Sequence, residues 1–103
     1  MKSIIEQFNP LFENRIRLAV MSILAVNDRM DFNTLKQTLD LTDGNLASHV
    51  AALEKNNYVS ISKKFVGKKT LTTYAVTAAG KRAFTEHLDA IEQLISTSQK
   101  GKS

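Results

Sequence analysis

Residues Met30 to Thr77 read MDFNTLKQTLDLTDGNLASHVAALEKNNYVSISKKFVGKKTLTTYAVT. The period of the apolar positions changes along this stretch. Leu35 and Leu39, with Leu41 just beyond, mark a short helix capped by Asn33. Leu41-Thr42-Asp43-Gly44 forms a turn. Thr42 caps the next helix, and Asp43 sits in its first turn, where the helix dipole favours negative charge. Leu46, Val50 and Leu53 fall at i, i+4 and i+7 and predict the buried stripe of a helix running to about Asn56 or Asn57. Asparagine suits a helix end because it tolerates the left-handed conformation. The pattern then alternates, with Val59, Ile61 and Phe65 on one side of a strand. Leu71 to Val76 is rich in β-branched residues and tyrosine, which favours a second strand. Val66-Gly67-Lys68-Lys69-Thr70 lies between them, and its glycine permits the positive φ of a hairpin turn. The stretch therefore reads as helix, turn, longer helix and β-hairpin.

The flanks extend this reading. Met30 to Phe32 is a short extended segment. Upstream, Asn14 caps a helix to about Val26, with Ile16, Ala19, Val20, Ile23 and Leu24 as its apolar stripe. Lys2 to Phe8 forms a short helix with Ile4, Ile5 and Phe8 on one face. It ends at Asn9-Pro10, since a residue before proline is pushed out of the helical region. Downstream, Thr77 caps a last helix that runs to about Ser96. Its Phe84, Leu88, Ile91 and Ile95 make a heptad-like seam, widened by Ala83 and Leu94. The polar, basic tail from Ser98 to Ser103 is expected to be disordered. The fold class is mostly α with a small β-hairpin wing. The expected architecture is a winged helix-turn-helix flanked by N- and C-terminal helices, one domain over residues 1–97.

The 103 residues suffice for one domain with a modest core. The chain has no cysteine, which excludes disulfides, thiolate metal sites and cysteine nucleophiles and suits a reducing cytoplasm. The N-terminus lacks the long apolar run of a signal peptide. No apolar stretch reaches bilayer-spanning length, so no membrane is expected as a partner.

The net charge is +4, and its distribution says more than its size. Between Lys55 and Thr85 lie seven basic residues and no Asp or Glu; all ten acids lie outside. A single-sign block centred on the hairpin is the footprint expected for a polyanion. On the longer helix, Asn45, Ser48, His49, Ala52 and Lys55 lie opposite the apolar stripe. Small side chains let a helix sit deep in a groove, and Asn, Ser and His can hydrogen-bond base edges and phosphates. The expected partner is double-stranded DNA. Residues 42–57 would enter the major groove through Thr42, Asp43, Asn45, Ser48, His49 and Lys55. Residues 63–72 would meet the phosphates through Lys63, Lys64, Lys68, Lys69 and Thr70.

Three segments carry a family resemblance: Leu18–Val26, the stretch from Met30 to Lys69, and Thr72–Phe84. They resemble the small winged-helix regulators related to the MarR and ArsR groups, above all the stand-alone winged helix DNA-binding domains of about one hundred residues. The most specific pieces are Leu41-Thr42-Asp43-Gly44-Asn45-Leu46, followed by His49 and Leu53, and Thr77-Ala78-Ala79-Gly80. The resemblance implies a homodimeric prokaryotic transcriptional regulator whose terminal helices make the dimer. Ile4, Ile5, Phe8, Phe84, Leu88, Ile91, Leu94 and Ile95 are the residues expected there. Wings in this family often carry arginine near the tip, where this chain has Lys68 and Lys69. Lysine is a point charge without a bidentate fork, so the wing should add affinity more than sequence specificity.

No catalytic constellation appears. Neither His49 nor His87 has a paired carboxylate or second histidine at metal-ligand spacing, apart from Glu86, Asp89 and Glu92 scattered around His87, and no phosphate-binding glycine loop is present. The expectation is no enzyme, no metal and no cofactor. A small-molecule effector of unidentified chemistry remains a further candidate partner. The alternative function is a winged helix that docks a partner protein, because fold does not fix function.

Overall fold

A computed structural model describes residues 3–100, with side-chain surroundings for residues 3–97. Helix α1 (Arg15–Val26) begins at Asn14, whose side-chain oxygen accepts from the N–H groups of Ile16 (3.0 Å) and Arg17 (3.1 Å). It buries Val20, Met21 and Leu24. A two-residue strand, β1 (Met30–Asp31), leads directly into α2 (Phe32–Leu39).

The cap of α2 is Asp31, not the expected Asn33. Its carboxylate accepts from Thr34 Oγ1 at 2.6 Å and from Thr34 N–H at 3.0 Å, and those bonds hold the Asp31 carboxyl below the usual range. Asp40 then turns the chain at φ +54°, and α3 (Asp43–Lys55) starts from Thr42, whose Oγ1 accepts from Asn45 N–H at 3.2 Å. An ion pair from Lys36 Nζ to Asp43 (2.7 Å) spans the helix-helix turn. Beyond α3, Asn57 takes φ +63°, the left-handed position expected for asparagine at a helix end.

Strands β2 (Val59–Val66) and β3 (Lys69–Val76) form an antiparallel hairpin, with β1 on the far edge of β3, in the order β1-β3-β2. The register runs from Val59 opposite Val76 to Val66 opposite Lys69. The turn is therefore only Gly67-Lys68, with φ +66° at Gly67. Lys69 and Thr70, expected in the loop, pair within the ladder instead. A two-residue turn with positive φ at its glycine matches the twist of the strands and lets the ladder run to its end.

The core collects Phe12, Val20, Met21, Leu24, Leu35, Leu46, Val50, Leu53, Val59, Tyr74 and Phe84. Phe65 does not join it. At 82 % exposure it lies beyond the region that the helices cover, although it shares the side of β2 that carries Val59 and Ile61. The alternation correctly gave the face, but the hairpin outruns the core.

The N-terminal segment also departs from expectation. In place of one helix over 2–8 there are two 3-10 turns, Ile5–Gln7 and Pro10–Phe12, with Lys2 outside the described residues. Asn9 stops the first and caps the second, its side chain accepting from Leu11 N–H at 3.0 Å, with proline at the first helical position. This delivers Phe12 into the core, edge-on to Phe84 at 5.7 Å between ring centres.

Helix α4 (Ala78–Lys100) continues past Ser96 through residues expected in the tail; residues 101–103 lie outside the described part. Its inner face is Gly80, Phe84, His87 and Ala90, so the expected seam divides. Phe84, expected at a dimer interface, is instead buried in the core of its own chain. Leu88, Leu94 and Ile95 stay exposed, and Ile91 is half-buried. No helix among the described residues is long and apolar enough to cross a membrane.

Candidate nucleic-acid interface

Burial of Leu46, Val50 and Leu53 fixes the rotation of α3. The strip left outward is Gly44, Ala47, Ser48, Ala51 and Lys55. Ala47 and Ala51 were not singled out from the sequence, yet they set how closely the strip can be approached. The available signal was spacing: Ala51 lies three residues after Ser48 and four before Lys55, and Ala47 lies four before Ala51. Thr42, Asp43 and Asn45 are exposed at the start of the helix, with Asp43 held by Lys36. Glu54 is also exposed, on the flank of α3 that carries Ala47, and near enough to the sheet for its charge to act on Tyr74. Burial and, less strongly, this carboxylate push the Tyr74 hydroxyl above its ordinary pKa.

Ala52 and His49 are half-buried on a flank of α3, not on the centre of the strip. His49 Nδ1 lies 3.1 Å from Nη1 of Arg17, and Arg17 Nε donates to the Leu11 carbonyl at 2.6 Å. Arg17 therefore connects the N-terminal turns, α1 and α3. Nothing in its local sequence signals this role, since its partners are six and thirty-two residues away.

On the wing, Lys63, Lys64, Lys68, Lys69 and Thr70 are all exposed. Strand alternation and the register put Lys63, Phe65, Thr70 and Thr72 on one face, and Lys64, Val66, Lys69 and Leu71 on the other. Both faces of the hairpin thus carry positive charge. Phe65 and Val66 add exposed apolar surface among these lysines.

At the terminal elements, Ile5 is exposed and Ile4 and Phe8 are half-buried. Phe8 packs edge-on against His87, with ring centres 5.5 Å apart. His87 is buried, and its Nδ1 accepts from Asn9 N–H at 3.0 Å. Burial lowers its pKa, opposed more weakly by Glu13.

Residues 16–95 match the winged helix DNA-binding domain family. An uncharacterized protein of Methanocaldococcus jannaschii is 32% identical over 84 residues, covering 82% of this chain and 91% of that protein. The transcriptional regulator homologue protein from Pyrococcus horikoshii OT3 superposes with a TM-score of 0.81 at 28% identity, covering 91% of each chain. Reduced AbfR bound to DNA shares the fold at a TM-score of 0.71 and 18% identity, over 87% of this chain and 62% of that one. The matched region begins inside α1, takes in the helix-turn-helix and the hairpin, and ends inside α4. The chain belongs to the winged helix DNA-binding domain family.

Proposed function

We propose that the protein is a transcriptional regulator that binds double-stranded DNA as a homodimer. In this reading α3 enters the major groove and the β2–β3 wing lies along the phosphate backbone. The observation that carries it is the joining of two surfaces: a small-residue polar strip on α3 and an adjacent acid-free hairpin with four exposed lysines, Lys63, Lys64, Lys68 and Lys69. The first fits the depth of a groove, and the second supplies the charge that a polyanion requires. Thr42, Asp43, Asn45, Ser48, His49, Lys55 and Thr70 are the further contacts in this proposal.

The dimer is supported by exposed apolar side chains on both terminal elements: Ile5, Leu88, Leu94 and Ile95, with Ile4, Phe8 and Ile91 half-buried beside them. Two copies would present their α3 helices about one DNA turn (~34 Å) apart and select a pseudo-palindromic site. A shallow cleft of about 320 Å³, between Gln7–Pro10 and Ala83 and Glu86 of α4, is our candidate place for an effector.

The test is fluorescence anisotropy on a labelled mixed-sequence duplex across a salt series. Binding should weaken steeply with salt. Lys68→Glu with Lys69→Glu should reduce both affinity and salt slope, by about 0.9 in the slope for each phosphate that is no longer neutralised. An unchanged slope would remove the wing from the interface. Absence of binding even at low salt would transfer the proposal to a winged helix that docks a partner protein.

A further inference from the structure

His49 is placed differently from its neighbours on α3. Ser48 and Lys55 point outward, whereas His49 sits half-buried on a flank, its Nδ1 3.1 Å from a guanidinium N–H of Arg17. A guanidinium carries donors only. The nitrogen facing it must therefore accept, so Nδ1 carries no proton. In the neutral ring the proton then resides on Nε2. Thr73 Oγ1 is the one buried side-chain polar atom without a partner among the described residues, so the unpartnered His49 Nε2 reaches solvent.

Arg17 is itself held. Its Nε donates to the Leu11 carbonyl at 2.6 Å, and its backbone N–H is fixed by the Asn14 cap at 3.1 Å. A guanidinium held by the Leu11 carbonyl, on a capped helix packed against α3, supports the imidazole. When a helix lies in a major groove, its flanks face the strands bordering the groove. The acceptors met there are phosphate oxygens.

We infer that Arg17 is a positioning residue that fixes His49 in the Nε2–H form, so that His49 donates to a DNA backbone phosphate at the edge of the major groove. The inference rests on the DNA-binding reading above and adds one specific contact to it. Through Leu11, the same bonds connect the N-terminal turns to the recognition helix.

Two measurements test it. In the free protein, nitrogen-15 NMR of the His49 ring should show a protonated Nε2 and a hydrogen-bonded, unprotonated Nδ1. Arg17→Gln should move the Nδ1 resonance. A neutral ring protonated at Nδ1 overturns the inference, whatever the variants do. The second measurement is affinity for the mixed-sequence duplex. Arg17→Gln and His49→Asn should each weaken binding about tenfold, as expected for a hydrogen bond to a charged group. The double variant should be little weaker than either one, because the two side chains act as a unit. His49→Gln, which keeps an amide donor near the Nε2 position, should recover part of the loss. Circular dichroism confirms that each variant is folded, and the exposed edge of His49 makes its variants the milder ones. Wild-type binding with unchanged or fully additive variants overturns this inference alone. A wild-type chain that binds no duplex refutes the DNA reading and this contact with it.

Discussion

The backbone of Gly80 lies directly against the carbonyl group of Tyr58. A β-carbon on Gly80 would overlap the Tyr58 oxygen and stand 2.9 Å from its carbonyl carbon. The same oxygen accepts from Thr77 N–H at 3.0 Å. Thr77 Oγ1 accepts from Gly80 N–H at 2.9 Å and donates to the Asn57 carbonyl at 2.6 Å. The first turn of α4 is thereby fastened to the junction between α3 and β2. This explains the Thr77-Ala78-Ala79-Gly80 segment: threonine supplies the cap and the cross-link, and glycine supplies the clearance.

Gly80→Ala should therefore destabilise the fold by about 3 kcal/mol, the upper end for overpacking, because the obstacle is backbone and not a movable side chain. A urea unfolding curve would show the lowered midpoint. A midpoint equal to wild type would mean that α4 is not docked as closely as described.

Thr73→Val should act in the opposite direction. Thr73 is 9% exposed, and its Oγ1 is buried without a hydrogen-bond partner. Valine has nearly the same shape and suits a strand, so the change removes an unmet desolvation cost. The expected gain is about 1 kcal/mol, read from the same type of curve. A loss of stability would show that the hydroxyl has a partner.

His87 should make stability depend on pH. Its folded-state pKa is depressed below 6.5 by burial, with Glu13 opposing. Below pH 6.5 the unfolded chain takes up a proton that the folded ring resists, so stability from this group is full above that pH. It declines as pH falls from 6.5 toward the folded pKa. Protonation of Nδ1 would also cost the bond from Asn9 N–H. His87→Asn keeps an acceptor oxygen near the Nδ1 position but does not titrate. Thermal melts from pH 7.5 down to about 5 should therefore be flatter for the variant than for wild type. Equal slopes would show that His87 titrates alike in both states.

Ala51→Glu tests the α3 strip, because Ala51 is exposed and near its centre. Glutamate is a good helix former, so the melting temperature should change little. DNA affinity should fall by at least about tenfold through bulk and repulsion from phosphate. Undiminished binding would mean that another face of α3 meets the DNA.

Leu94→Lys with Ile95→Lys tests the dimer. Both side chains are about half exposed on α4, beyond the buried Ala90. The substitutions should leave the monomer fold intact and shift sedimentation toward the monomer, with DNA affinity falling because the second half-site is no longer engaged. A dimer that persists would place the interface elsewhere.

The element order was legible in the sequence because it depends on local physics. Thr42 as a cap, the i, i+4, i+7 spacing of Leu46, Val50 and Leu53, and Gly67 at the hairpin turn each act within a few residues. They specified the helix-turn-helix and the wing without tertiary information. The positive block from Lys55 to Thr85 was likewise a property of the chain itself. What only the tertiary structure decided depends on contacts between distant residues. Local capping chemistry allowed either Asp31 or Asn33 to start α2, and pairing of Asp31 with Thr73 across the sheet accompanies the observed choice. A heptad-like spacing joined Phe84 to Leu88 and Ile95, but Phe12, arriving from a 3-10 turn, claimed Phe84 for the core. The alternation of β2 identified the side of Phe65 but not the length of strand the core would cover. His87 meeting Asn9, and Arg17 meeting His49, join positions far apart in sequence. Periodicity records which face of an element is apolar; which neighbour covers that face is settled only when the elements pack.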